Sequence, residues 1–383
     1  MIAHATSLDR EAPGLYVHIP FCTSKCRYCG FYSQPPAGRD VDRLVSALLT
    51  EVRQYRTVEA VRTIYVGGGS PTSLPVHPLA RLIEAITSLW PATEEFTVEC
   101  NPGQAGVEML SMLARGGVTR LSFGAQSFHA AELELLGRRH RVDDVRRSIE
   151  QAQDLGFTNV GIDLIFAIPG STLQSWEDCL QAAIALGVQH ISAYSLSFEP
   201  GTLLEEARRL GHIAPVDEDT DRAMYELAID CLASAGFVQY EVSNFARGGF
   251  ECRHNQGYWE NRPYIGIGPS AASYWQGERT ANVADIDAYI QRVEAGCSPV
   301  EERSRPSGAD RICETAVLNL RTRQGVDLAG FRRRTGADFR EVFQTPVRRH
   351  EHAGLLEVTA DHVRLARKAL AVADSVLCDF AAF

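Results

Sequence analysis

Short apolar runs alternate with longer amphipathic segments through the first 240 residues of the chain. The short runs are rich in β-branched and aromatic residues and read LYVHI (15–19), TIYVGGG (63–69), FTVEC (96–100), RLSFGAQ (120–126), VGIDLIF (160–166) and HISAYSLS (190–197). The segments between them have helical spacing, clearest at 41–55, where Leu44, Val45, Leu48 and Val52 share one face. These periods predict six strands that alternate with helices, near 41–55, 76–90, 106–115, 142–155, 172–186 and 218–235.

This alternation predicts an α/β fold, because a helix between two strands forms a right-handed βαβ unit with a parallel sheet. Six such units predict a partial (β/α)6 TIM-type barrel over residues 1–240. Residues 241–300 are loop-like and aromatic and predict a linking segment. Residues 301–383 predict a mainly helical C-terminal domain with a hairpin, GLLEVTADHVRLA, and a closing helix.

Polar residues and glycines cluster where the predicted strands end. GGGSPT follows Val66, Glu99 opens ECNP, Gln126 ends SFGAQ, and Asp163 lies in GIDLIFAIPG. Since (β/α) barrels build their sites at the carboxyl ends of their strands, these residues predict one shared mouth. The alternatives are helix capping at the barrel rim for the two carboxylates and a tight turn for the glycines.

Composition and charge indicate the compartment and the partners to expect for this protein. No run of 18 apolar residues and no basic, apolar leader is visible, so we expect a cytoplasmic protein. The net charge of -10 argues against a nucleic-acid partner, because polyanions require a positive surface. The basic run Arg332, Arg333 and Arg334 is therefore predicted to be a solvated helix face.

Three of the ten cysteines, Cys22, Cys26 and Cys29, follow the first predicted strand. In a reducing compartment such grouping indicates metal or redox chemistry rather than disulfides. Three thiolates would hold a cubane [4Fe–4S] cluster and leave one iron open to a substrate. Zinc is the alternative, but no Cys or His follows Cys29 within thirty residues, and His18 lies inside a strand. An accidental grouping of buried cysteines is the third interpretation.

The spacing Cys-x3-Cys-x2-Cys resembles that of radical S-adenosylmethionine (SAM) enzymes. The motifs LYVHIPFC, GGGSPT, ECNPG, RLSFGAQSF, LGRRH, GIDLIFAIPG and EPGT resemble, in this order, those of their coproporphyrinogen III oxidase-like group. This resemblance implies a [4Fe–4S] cluster on the three cysteines, SAM on its open iron, and a winged-helix-like C-terminal domain. The implied SAM contacts are Tyr16, Tyr28, Gly68, Gly69, Ser70, Glu99, Gln126, Arg138 and Asp163. Ser70 stands where the group more often has Thr, which keeps the hydroxyl.

Two features favour the heme-chaperone branch of this group. The oxidases carry a further Cys two residues after the third ligand, where this chain has Phe31. HNQGYW (254–259) resembles that branch's heme-associated signature, which implies His254, Asn255, Tyr258 and Trp259 as heme contacts. A hydrogen-bonded packing role is the alternative for His254. The axial ligand of the heme stays open.

The resemblance implies a protein that binds heme and delivers it to acceptor proteins at the respiratory membrane. The alternatives are oxygen-independent oxidation of coproporphyrinogen III and another radical reaction on a tetrapyrrole. No residue is assigned as catalytic. SAM cleavage and formation of a homodimer stay open.

Overall fold

The computed structural model describes residues 11–382. All six predicted strands are present, each followed by one or two helices, which confirms the α/β core. Its elements are β1 (Gly14–Ile19), α1 (Val41–Gln54), β2 (Thr63–Gly68), α2 (Val76–Leu89), β3 (Glu95–Cys100), α3 (Val107–Arg115), β4 (Arg120–Gln126), α4 (Ala130–Leu136), α5 (Val142–Asp154), β5 (Val160–Phe166), α6 (Leu173–Ala185), β6 (His190–Ser195), α7 (Leu203–Arg209) and α8 (Glu218–Ser234). Helices α4 and α7 were not predicted, because seven residues give too short a window for a helical period.

Strands β1 to β6 pair in sequence order, and every pair is parallel. The register places Gly14 opposite Thr63, and Thr63 opposite Glu95, so the amino ends of these strands are level. Their carboxyl ends are consequently gathered at one edge, as the predicted barrel requires.

The two faces of this sheet differ in polarity. One face carries apolar side chains such as Val17, Val66 and Val98, which are fully buried in the main core with the surrounding helices. The alternate positions carry polar side chains, including Tyr65 and Glu99. Since successive residues of a strand point to opposite faces, the polar side chains share the inner face of the barrel.

Residues beyond 237 form regular structure, so the prediction of a loop-like segment there is wrong. This region contains β7 (Val238–Gln239), β8 (Asn244–Ala246), α9 (Arg253–Trp259), β9 (Tyr264–Ile267), β10 (Ala272–Trp275), β11 (Glu278–Asn282), α10 (Ile286–Glu294) and β12 (Val300–Ser304). Strand β9 pairs with β1 in parallel, and β8 pairs with β6 antiparallel, giving one 12-stranded sheet. The short strands lack a period of their own, and β8 and β9 are joined to the barrel through their pairing with β6 and β1. The exact domain boundaries stay a prediction.

The C-terminal part is mainly helical and adds a small three-stranded sheet. It contains α11 (Gly308–Leu320), β13 (Val326–Asp327), α12 (Leu328–Thr335), α13 (Phe339–Val342), α14 (Gln344–His352), β14 (Leu356–Val358), β15 (His362–Leu365) and α15 (Ala373–Leu377). The predicted hairpin is confirmed as the antiparallel pair of β14 and β15. The predicted closing helix is present as α15, with a 3-10 helix on either side of it. Arg332 and Arg333 are exposed and Arg334 is half-buried.

None of the helices described between residues 11 and 382 has the length and apolar character required to cross a membrane.

A buried carboxyl joins α1 to the region beyond β9. Glu51 accepts hydrogen bonds from the backbone N–H of Gly268 at 2.8 Å, from Asn282 Nδ2 at 2.8 Å and from the Tyr289 hydroxyl. These donors come from three separate segments, so a single side chain holds them against the barrel.

We expect Glu51→Ala to lower the free energy of unfolding by roughly 3 kcal/mol, because it leaves buried donors without an acceptor. Urea denaturation of this variant and of the control Glu84→Ala, an exposed position on α2, measures the difference. Equal losses in the two variants would contradict a clamping role for Glu51.

Candidate functional site

The cysteine loop connects β1 to α1 at the carboxyl edge of the sheet. Cys22, Cys26 and Cys29 are half-buried and carry free thiols. The loop is attached through Arg27, whose N–H donates to the Leu136 carbonyl at 3.0 Å and whose carbonyl accepts from the Leu204 N–H at 2.8 Å. Leu136 ends α4 and Leu204 lies in α7, so the two unpredicted helices fix the position of the cysteines.

A buried guanidinium lies beside these thiols. Arg138 Nη1 donates to Cys26 Sγ at 3.3 Å, while Nη2 donates to Asn101 Oδ1 at 2.8 Å and to the Gly124 carbonyl at 2.6 Å. Its Nε is buried and has no hydrogen-bond partner among residues 11–382. Burial, with smaller contributions from Cys26 and Cys29, raises the pKa of Cys22 to about 11, whereas a Ser33 hydrogen bond and the Arg138 charge oppose the rise. Within residues 11–382 the three thiols are not arranged as a preformed metal site. Their chemistry suits an iron–sulfur cluster, because thiolates are soft donors for iron and the Arg138 guanidinium lies beside Cys26.

The glycine run after β2 is required by close packing against the start of the cysteine loop. Gly68 has φ +106°, and a Cβ there would lie 2.4 Å from the ring of His18. A Cβ on Gly69 would lie 2.5 Å from the Phe21 carbonyl oxygen. The N–H groups of Gly69 and Ser70 donate to the carbonyls of Ile19 and Phe21 at 2.8 and 2.7 Å. The run therefore positions the loop, while Ser70 Oγ is buried and bonds Gln104 Oε1 at 3.3 Å.

Glu99 ends β3 on the inner face and is held by two donors. Its Oε1 accepts from the Tyr65 hydroxyl at 2.7 Å and its Oε2 from the Gly68 N–H at 3.1 Å. Gly67 makes room for this pair, because a Cβ there would lie 2.8 Å from both side chains. Burial raises the pKa of Glu99 to about 7 and the nearby Asp163 adds to the rise, whereas the Tyr65 hydrogen bond opposes it. Glu99 is thus an acceptor next to the last residue of β3, held in place by Tyr65 and Gly68.

Gln126 ends β4, and Asp163 lies in the middle of the neighbouring strand β5. Gln126 has φ 67°, a left-handed conformation that is uncommon outside glycine, and β4 bulges between Gly124 and Gln126. Such strain is concentrated at functional sites. Burial raises the pKa of Asp163, while the hydroxyls of Ser192 and Ser122 lower it. The register sets Glu99 opposite Ser122 of β4 and Gly124 of β4 opposite Asp163. Glu99, Gln126 and Asp163 therefore lie on neighbouring strands of the same sheet.

Two tyrosines flank this group. Tyr16 lies on the inner face, where its hydroxyl donates to His18 Nδ1 at 3.0 Å, and His18 Nε2 donates to the Tyr32 carbonyl at 3.1 Å. Both nitrogens of His18 are engaged, which leaves none for a metal. Tyr28 follows Cys26 and packs on the apolar cluster that includes Leu136 and Leu204.

The heme-motif residues lie on α9 at the opposite end of the sheet. His254 is 3% exposed, its Nδ1 lies 2.9 Å from Thr63 Oγ1, and its Nε2 lies 2.9 Å from the Tyr258 hydroxyl. Thr63 begins β2, whereas the cysteine loop follows the end of β1. A six-residue strand spans about 17 Å, so the two groups sit at different ends of the barrel. Neither nitrogen of His254 is free for iron in this arrangement.

Helix α9 is held from both sides. Glu95, at the start of β3, accepts from the N–H groups of Arg253 and His254 at 3.1 Å each, which satisfies the first turn of the helix. On the other side, the Trp259 carbonyl accepts from Asn319 Nδ2 of α11 at 2.7 Å. Asn255 is half-buried on the same helix, and its backbone approaches the sulfur of Cys252.

Two family models match two separate parts of the chain. Residues 16–183 match the model of the radical SAM superfamily, and residues 307–372 match that of the HemN C-terminal domain. The chain is 34% identical to the heme chaperone HemW of Bacillus subtilis, over 95% of this chain and 98% of that protein. It is 35% identical to HemW of Mycobacterium tuberculosis, over 95% and 93% respectively.

The chain belongs to the HemW family of radical SAM proteins. Membership of this superfamily implies a [4Fe–4S] cluster and SAM as cofactors. The structure of coproporphyrinogen III oxidase (HemN) from Escherichia coli superposes with a TM-score of 0.84 at 21% identity, covering 98% of this chain and 92% of that one. At this identity the superposition supports the fold, including the C-terminal domain.

Sequence reasoning missed Tyr65 and Glu95. Tyr65 donates to Glu99 and packs its ring 5.1 Å from that of His254, so it touches both ends of the barrel. Glu95 holds the heme-motif helix. Tyr65 lies between two apolar residues of a strand run, whereas Glu95 follows Glu94 just before the predicted strand, so neither position stands out in the sequence.

We expect His254 to stay neutral in the folded protein, because burial, aided by the charge of Arg120, lowers its pKa to about 3. The unfolded chain takes up this proton near pH 6.5, so the contribution of His254 is complete above that pH and declines below it. Between pH 8 and 5 the wild type should lose roughly 2 kcal/mol of unfolding free energy relative to His254→Gln. Urea denaturation of the wild type and His254→Gln across this pH range tests the prediction. A difference in unfolding free energy that does not change with pH would mean that the pKa of His254 is not lowered in the folded protein.

Proposed function

We propose that this protein is a heme chaperone with a radical SAM core, which binds heme and delivers it to acceptor proteins. The observation that carries the proposal is its similarity to HemW proteins over 95% of the chain, combined with a three-thiol loop and a HNQGYW helix on one barrel. Cys22, Cys26 and Cys29 would hold the cluster, whose open iron accepts SAM and supplies one-electron chemistry.

The strand-end side chains would form the SAM site. Glu99 would accept from the amino or ribose groups of SAM, beside Gly68 and Asp163. Gln126 would take part through its constrained backbone. Tyr16, Tyr28, Gly69, Ser70 and Arg138 complete the proposed contacts, and the unpartnered Nε of Arg138 supports a polar ligand next to the cluster loop.

The heme would bind beside α9, where we propose His254, Asn255, Tyr258 and Trp259 as contact residues. Iron ligation by His254 requires that Thr63 or Tyr258 first give up its hydrogen bond. We propose a cytoplasmic protein whose heme acceptors lie at the respiratory membrane. A homodimer is a further part of this proposal.

Oxidation of coproporphyrinogen III is the second candidate. Phe31 disfavours it, because this side chain stands where the oxidases carry a further cysteine and is 70% exposed beside Cys29. A different radical reaction on a tetrapyrrole would reveal itself through altered product masses.

We expect anaerobically reconstituted protein to contain a [4Fe–4S] cluster and to shift the Soret band of heme at micromolar concentration. With SAM, a reductant and coproporphyrinogen III, we expect no protoporphyrinogen. Cys29→Ala should lose the cluster and serves as the control for iron loading, with Cys297→Ala, an exposed cysteine elsewhere, as the matched variant. Zinc in place of iron, an unchanged Soret band, or formation of protoporphyrinogen would each count against this function.

We expect SAM binding to weaken as the pH falls through about 7, because protonated Glu99 is a poorer acceptor and has lost its charge. Tyr65→Phe removes a donor that lowers this pKa, so the midpoint should move about one pH unit higher. Titration calorimetry with reconstituted protein between pH 6 and 8.5 measures the midpoint, with Tyr55→Phe as the control. The same midpoint in all three proteins would show that Glu99 does not govern SAM affinity.

A further inference from the structure

A shallow crevice opens beside the heme-motif helix, between α9 and the amino ends of β1 and β2. The arginine crevice, as we call it, is lined by Arg62, Arg253, Gly257, Tyr258, Arg262 and Tyr264, with small residues between them. The rings of Tyr258 and Tyr264 meet edge to face at 4.7 Å. Its surface thus combines aromatic and small apolar groups with guanidinium groups.

Every charged side chain that lines the arginine crevice is cationic. The partner carboxylates lie outside the lining, and one of them is shared. Glu94 accepts from Arg253 at 2.8 Å and from Arg62 at 3.3 Å, so two guanidinium groups divide one carboxylate. Arg62 Nη1 is buried and has no partner among the described residues. The arginines therefore retain capacity for a further anion, and their planar fork suits a carboxylate.

More positive charge comes from the C-terminal part of the chain. Arg334 on α12 lies within electrostatic range of Glu11, Arg262 and Glu260. Arg262 itself is paired with Glu11 at 2.9 Å and with Glu260. Arg334 is half-buried and forms no ion pair within the part of the chain that the structure describes. It adds a further guanidinium to this side of the crevice, near Glu11 and Glu260.

No close contact within the described part of the chain requires glycine at position 257. It lies in the middle of α9, where glycine costs about 1 kcal/mol relative to alanine. A Cβ on Gly257 would meet nothing within 4 Å, in contrast to Gly67 and Gly68. A glycine kept without an internal contact leaves space for something outside the chain to approach the helix closely.

We propose that the arginine crevice binds the carboxylate side chains of a planar tetrapyrrole, whose edge lies against Gly257 and Tyr258. Arg62 and Arg253 bind the carboxylates, with Arg262 beside them. This inference rests on the proposed heme function and adds the part of heme that is recognised, its propionates, and the residues that recognise it. The ligand then lies directly beside the hydrogen bond between Tyr258 and His254.

The test compares heme with heme dimethyl ester, which has the same ring and iron but no carboxylates. Absorbance titrations with both probes give dissociation constants for the wild type, Arg62→Gln, Arg253→Gln and the control Arg222→Gln, an exposed arginine on α8. We expect each crevice variant to weaken heme binding about tenfold and to leave ester binding unchanged. The wild type should bind the ester at least tenfold more weakly than heme, and Arg222→Gln should match the wild type.

Gly257→Leu tests the same site by filling the space in which the edge of the tetrapyrrole is proposed to lie. We expect it to weaken both probes at least tenfold, whereas Gly257→Ala keeps the helix and has a smaller effect. Thermal unfolding confirms that each variant is folded. Equal wild-type affinity for heme and ester, or normal binding by Gly257→Leu, would overturn the carboxylate site while leaving heme binding intact. If the wild type binds neither probe, the proposed function fails, and this inference fails with it.

Discussion

A buried arginine balances the charges on the inner face of the sheet. Arg120 begins β4 and is 2% exposed, and its charge lowers the pKa of Glu99 and Asp163 against the effect of burial. The same charge helps to keep His254 neutral at the other end of the strands. A nearby cation offsets part of the cost of burying carboxylates on a desolvated face. The polar inner face, and with it both candidate sites, therefore depends on Arg120.

The two ends of the barrel carry different sets of side chains, and Tyr65 contacts both sets. The carboxyl end gathers thiols and acceptors around the cysteine loop, whereas the amino end holds α9 through Glu95. Tyr65 reaches both, since its hydroxyl meets Glu99 and its ring packs on His254. A ligand that moves α9 would therefore act on the orientation of Glu99. This gives the proposed heme chaperone a physical connection between its two binding sites.

Local pattern predicted the core of the fold well, because each of the first six strands is an apolar run bounded by glycine or polar residues, as in VGIDLIF. Their neighbours follow from the right-handed βαβ rule. The short strands β8 to β12 could not be predicted in this way, since three to five residues give too short a window for a strand period. Strands β8 and β9 join the sheet through pairing with β6 and β1, which lie much earlier in the chain. Helix α9 likewise depends on Glu95, which lies about 160 positions earlier.

The sequence by itself determined the chemistry that is available: three thiols at a fixed spacing, a glycine run, strand-end carboxylates and a HNQGYW segment. The spacing of the cysteines can be recognised in the sequence because all three lie within a single loop. Only the tertiary structure decided that both nitrogens of His254 are occupied and that Arg62, Arg253 and Arg262 line one crevice beside Gly257. These relations join residues almost 200 positions apart, and their geometry exists only after the sheet has brought its strand ends together.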